Sequence, residues 1–102
     1  MKTTGGGDMR IGDTVEGEIE LWVAHNWAFN GSAGQEVTIT VQGWDGADPQ
    51  ARLIAPNGEV IASDDDSGEN RAALMVVTLP ETGTYYIRID VYSEGRYRVI
   101  LE

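Results

Sequence analysis

The chain has no cysteine, one histidine, one phenylalanine and three prolines among its 102 residues. The missing thiols exclude disulfides and thiolate metal centres. A lone histidine leaves no companion for a histidine-rich zinc site. A Ser-His-Asp triad would have to use His25, yet none of Ser32, Ser63, Ser67 and Ser93 sits in a Gly-x-Ser-x-Gly elbow. His25 is therefore read as a loop or strand-edge residue. Basic residues are scarce too: seven Lys and Arg face seventeen Asp and Glu, a formal charge of −10. Nucleic acid and anionic lipid are disfavoured as partners, because their capture rests on Lys and Arg neutralising phosphates. Cations are favoured, and the same charge also serves solubility. No apolar run approaches the ~20 residues of a membrane-spanning helix, and residues 1–10 lack the apolar core of a signal peptide.

What is present is alternation. Apolar residues recur at period two, the signature of half-buried strands, and helical spacing is nearly absent. Eight strands are predicted, over residues 14–23, 26–30, 36–42, 50–55, 59–63, 71–79, 84–92 and 96–101. In the first, Val15, Ile19, Leu21 and Val23 share a side, with Gly17 as a bulge. In the third, Val37, Ile39 and Val41 alternate with Glu36, Thr38, Thr40 and Gln42. Asn57-Gly58 is a hairpin signal, since both residues tolerate positive φ. Turns are also expected at 31–34, 80–83 and 93–95. The expected fold is all-β: an antiparallel β-sandwich, jelly-roll-like, of about eight strands. Gly5-Gly6-Gly7 reads as a linker, so residues 1–11 are expected to be a flexible N-terminal segment and 12–102 the single domain.

Two groups of side chains invite a site. Asp64, Asp65 and Asp66 end a strand, with Glu69 in the next loop and Asp45 and Asp48 in another acidic loop. Hard oxygen ligands on loops suit calcium, although the spacing is not that of an EF-hand. The other reading is a set of Asx turns, with carboxylates capping loop amides. Among aromatics, Trp22 has the parity of an exposed residue and Trp44 falls in a loop, so either indole is a candidate platform for a sugar or peptide. Parity also turns Tyr85, Ile87, Ile89, Tyr97, Val99 and Leu101 inward and Tyr86, Arg88, Tyr92, Arg96 and Arg98 outward. Residues 84–92 and 96–101 read as one hairpin closed by Ser93-Glu94-Gly95, so three of the seven basic residues share a face that suits an acidic peptide or a neighbouring domain. Pairing with Asp90 and Glu102 is the structural alternative. Glu16, Glu18 and Glu20 alternate along a strand and read as a solvated face, not a glycosidase pair.

The order Trp27-Ala28-Phe29, Ala33-Gly34-Gln35, Val37-Thr38-Ile39, Asp48-Pro49, Pro56-Asn57-Gly58, Asp64-Asp65, Thr82-Gly83-Thr84-Tyr85 and Gly95-Arg96-Tyr97 resembles the bacterial pre-peptidase C-terminal domain from about Gly12 to Leu101. The resemblance implies a jelly-roll-like sandwich on a secreted bacterial protein, often attached to a peptidase and not itself catalytic. Collagen-binding modules of similar fold bind calcium. At the matching positions this chain has Ala24-His25-Asn26 without a carboxylate, and its penultimate strand shows Arg88, Asp90 and Tyr92. The expected function is that of a non-catalytic accessory or interaction domain of a secreted bacterial protein, with calcium as the one candidate cofactor. The alternative is a module that targets an attached enzyme to a polysaccharide or protein.

Overall fold

The computed structural model describes residues 2–44, 46–65 and 72–102. Nine strands run in chain order: β1 Lys2–Asp8, β2 Thr14–Ile19, β3 Val23–Gly31, β4 Glu36–Trp44, β5 Pro49–Ile54, β6 Val60–Asp64, β7 Ala73–Thr78, β8 Gly83–Val91 and β9 Gly95–Leu101. They form a five-stranded sheet in the order β1-β3-β8-β5-β6 and a four-stranded sheet in the order β2-β9-β4-β7. Every pairing is antiparallel except β1 with β3. The all-β sandwich is as expected, with one strand more.

The core is the sum of the inward faces. Val37, Ile39 and Val41 of β4 are fully buried, as are Tyr85, Ile87 and Ile89 of β8 and Tyr97, Val99 and Leu101 of β9. The pleat sends alternate side chains to opposite faces, so reading parity sorts them correctly. Each such aliphatic contributes about 1.5–3 kcal/mol relative to exposure. The Asn57-Gly58 turn joins β5 to β6: Gly58 takes φ 89°, and Asn57 Oδ1 accepts the Glu59 amide at 3.0 Å.

Four expectations change. Residues 2–8, expected within a flexible linker, form β1. Its glycines allow close approach: a Cβ on Gly6 would fall on the Asn26 carbonyl, and one on Gly5 would lie 2.7 Å from the His25 ring. The strand expected over 14–23 breaks at residues 20–22, where the chain passes from the four-stranded to the five-stranded sheet. Trp22 turns it at φ 69°, and Leu21 faces solvent. Gly17 is not a bulge, since its register with Tyr97 is continuous; a Cβ there would meet the Tyr97 hydroxyl at 2.7 Å. Finally, β8 and β9 are not a hairpin. β8 pairs with β3 and β5, whereas β9 pairs with β2 and β4. Arg88 therefore lies on the opposite outer face from Arg96 and Arg98, and the expected single basic face does not exist.

Candidate functional site

On the outer face of the five-stranded sheet, register stacks the side chains in rows. Asn26, Arg88, Arg52 and Ser63 form one row across β3, β8, β5 and β6; Ala28, Tyr86, Ile54 and Val60 form the next. Arg52 and Arg88 are directly opposed, an arrangement that costs energy unless an anion lies between. Asp90, one pleat along β8, supplies a single carboxylate. It is only 8% exposed, and Arg52 Nη1 stands 3.7 Å from its Oδ1. That oxygen is buried without a hydrogen-bond partner, as is Asn26 Oδ1. Arg52 also donates to Gln50 Oε1 at 3.4 Å. Among the described residues Arg88 has neither a hydrogen-bond nor an ion-pair partner. Two cations thus stand beside one carboxylate, which pairs with Arg52. A shallow cavity of about 460 Å³ opens beside them, lined by Arg52, Ile54, Gly58, Val60, Arg88 and Asp90.

The other outer face is occupied by its own side chains. Trp44 belongs to β4, not to a loop, and the guanidinium carbons of Arg96 and Arg98 sit 5.9 and 5.1 Å from its ring centroid. Arg98 further donates from Nε and Nη2 to Glu16 Oε2 at 3.0 and 2.8 Å. The Trp44 indole is half-buried under a cation–π stack. Trp22 is 80% exposed on its turn, and Tyr92 is exposed on the link after β8. The expected ligand residues are thus spread over both faces and two connections, with only Tyr86 and Arg88 beside Arg52 and Asp90.

Of the expected calcium residues, Asp45, Asp66 and Glu69 lie outside the described residues. Among the described residues no three His, Cys, Asp or Glu side chains gather as a metal site. Asp48 lies in a loop zipped by backbone bonds to residues 92 and 93. Asp64 Oδ2 accepts the Leu74 amide at 2.8 Å, a capping role of the kind the Asx reading describes. Asp48, Asp64 and Asp65 do not by themselves make a calcium site.

His25 is not a loop or strand-edge residue. It lies within β3, 9% exposed, with Nδ1 2.6 Å from the Tyr97 hydroxyl, which also receives the Trp27 indole N–H at 2.9 Å. Indole nitrogen only donates, so the hydroxyl accepts from Trp27, while the direction of its bond to His25 Nδ1 follows the imidazole tautomer. This polar bridge ties the two sheets together. Sequence reading missed it, although Gly5 and Gly17, each set against one of its rings, mark the space it takes. Burial lowers the His25 pKa from 6.5; burial also raises that of Tyr97 from 10.0, with the Trp27 hydrogen bond opposing. The unfolded chain therefore takes up a proton near pH 6.5 that the folded chain resists. Stability should be fully present above pH 6.5 and fall as pH drops toward the lower folded pKa. Urea denaturation between pH 7.5 and 5.5 should show this decline, and His25→Asn should flatten it.

These features define an all-β sandwich of two sheets. Residues 24–90, more than half of the chain, match the family model of the bacterial pre-peptidase C-terminal domain, and the chain belongs to that family. Such domains are non-enzymatic and typically attached to peptidases. Among solved structures, the pre-peptidase C-terminal domain of a collagenase from Bacillus anthracis is similar with a TM-score of 0.76 and 17% identity, over 95% of this chain and 94% of that one. The periplasmic inhibitor of g-type lysozyme from Aeromonas hydrophila has a TM-score of 0.75 at 14% identity, over 99% and 98%. Its Salmonella Typhimurium counterpart has 0.65 at 18%, over 97% and 98%. Among curated proteins, none matches the sequence. At these identities the structural likeness concerns the fold.

Proposed function

We propose that this chain is a non-catalytic accessory domain of an exported bacterial protein, and that it holds an acidic segment of a protein partner on the outer face of its five-stranded sheet. The observation that carries this reading is Arg88, a half-buried guanidinium facing Arg52 with no counterion of its own. A partner carboxylate would relieve that opposition, and Tyr86, Ile54 and Val60 in the adjacent row offer apolar contact. The fold neighbours include an inhibitor of a protein, which favours a protein ligand over a polysaccharide. An aspartate-rich peptide should bind at low ionic strength and weaken as salt screens the pair. Arg88→Glu should abolish that binding in a fluorescence anisotropy titration without lowering the melting temperature. Equal binding by wild type and variant would reject the face.

A second reading rests on the 80% exposure of Trp22: a targeting module that stacks this indole on a sugar ring. A glycan array that loses signal with Trp22→Ala, and not with Trp44→Ala, supports it. Stabilisation by calcium is a separate proposal. It needs the carboxylates of Asp45, Asp66 and Glu69 to complete the set with Asp48, Asp64 and Asp65. Binding would raise the melting temperature in millimolar calcium relative to chelator, and an unchanged melting temperature rejects it.

A further inference from the structure

Among the described residues the sandwich has four open edges: β1 and β6 on one sheet, β2 and β7 on the other. Proteins blunt such edges with charges, bulges, glycine or proline, because unpaired backbone groups template further pairing. Three of the four are blunted. β1 is glycine-rich, and its register shifts between Thr3 and Gly5. β2 carries Glu16 and Glu18. β6 is bulged against β5 and ends in Asp64. By contrast β7, Ala73-Leu74-Met75-Val76-Val77-Thr78, has no charge, glycine or proline, and its register with β4 is unbroken from Glu36–Thr78 to Val41–Ala73.

The direction of its hydrogen bonds is fixed by two contacts. Leu74 donates its amide away from β4, to Asp64 Oδ2, and Leu79 donates its amide to the Gln35 carbonyl at the β4 side. Antiparallel ladders alternate in this way, so Val76 and Thr78 also turn their N–H and C=O outward, together with the Leu74 carbonyl. None of these groups has a partner among the described residues. The Val76 side chain beside them is 61% exposed.

We propose that β7 is an augmentation edge that accepts one extended strand of a partner protein, with an apolar, β-branched centre and Lys or Arg at its flanks. Main-chain bonds to Val76 and Thr78 would supply affinity, and Val76 would pack against the incoming side chains. The flanking cations follow from charge: Asp64 and Asp65 stand at the Leu74 end, Glu36 lies opposite Thr78, and the chain carries −10 overall. A second copy is the poorer occupant. Antiparallel pairing of two β7 strands would set Asp64 and Asp65 of each copy against Glu36 of the other. This edge is separate from the Arg88 face, so either can fail alone.

The test leaves the domain intact. A blocked peptide of alternating valine and threonine between terminal lysines is titrated into the isotope-labelled protein. Amide signals of Val76 and Thr78 should shift and gain protection from exchange, with the Arg52 and Arg88 amides unmoved. N-methylation of the peptide residues that face the edge should weaken binding at least tenfold, whereas methylation of the intervening residues should not. Val76→Lys, which adds only an outward charge, should weaken it likewise. Binding indifferent to N-methylation, absence of binding, or a wild-type dimer that Val76→Lys dissociates would each overturn the proposal.

Discussion

Tyr97→Phe should destabilise the domain by about 2–4 kcal/mol, although it removes one oxygen atom and no carbon. The phenol is fully buried, and its hydroxyl satisfies two groups from the facing sheet, His25 Nδ1 at 2.6 Å and Trp27 Nε1 at 2.9 Å. Phenylalanine would leave His25 Nδ1 and the Trp27 indole N–H without this partner, each loss costing about 1–3 kcal/mol. For a domain of this size the melting temperature should fall by roughly 10–20 °C. The same bridge predicts coupling. Trp27→Phe should cost less in the Tyr97→Phe background than in wild type, because its partner is already gone. Urea melts of the four proteins measure both quantities. A loss below about 0.5 kcal/mol for Tyr97→Phe, or additive single effects, would mean that the hydroxyl does not bridge the sheets.

Tyr85→Ala should be costlier still. Its ring is fully buried and stacks on Phe29 with centroids 5.6 Å apart and planes 18° from parallel. Loss of a buried aromatic costs about 3–5 kcal/mol through transfer and cavity terms. Beyond that, the Tyr85 hydroxyl donates to the Glu81 carbonyl at 2.6 Å and accepts the Glu81 amide at 3.0 Å, closing the turn that leads into β8. Because β8 is paired on both sides, by β3 and β5, a loosened entry reaches the middle of the five-stranded sheet. Against the roughly 5–15 kcal/mol available to a small domain, the variant should be partly unfolded at ambient temperature. Tyr85→Phe keeps the ring and should lose only about 1 kcal/mol. Circular dichroism melts of the pair separate the packing of the ring from the clamp of its hydroxyl; similar losses for both would assign the effect to the clamp.

These residues also show what a sequence can and cannot reveal. The inward set on β4, β8 and β9 was legible because alternation within one strand needs no knowledge of its neighbours. Asn57-Gly58 was legible because its turn is local. The partner of each strand was not. Ser93-Glu94-Gly95 has the composition of a hairpin turn, yet it carries the chain between sheets, and this separates Arg88 from Arg96 and Arg98. Alternation ran unbroken through Leu21 and Val23, with no glycine or proline to mark the turn at Trp22. The resemblance carried by Trp27 through Tyr97 identified the family correctly. The candidate face depends on Arg52 meeting Arg88, a pairing across 36 residues that parity alone cannot supply. His25 was misplaced for the same reason: its partner Tyr97 lies 72 residues away, in the other sheet.

Among the described residues, only β5 and β6 are both consecutive in the chain and neighbours in a sheet. All other ladders join segments that are distant in sequence, so little can assemble locally. Such topologies fold slowly, since long loops must close before their contacts repay the lost entropy. β8 stitches β3 to β5, and β9 stitches β2 to β4. A nascent chain that lacks these two strands has both sheets split and no enclosed interior. It would leave the ribosome as an extended, acidic coil and condense only after β9 is free.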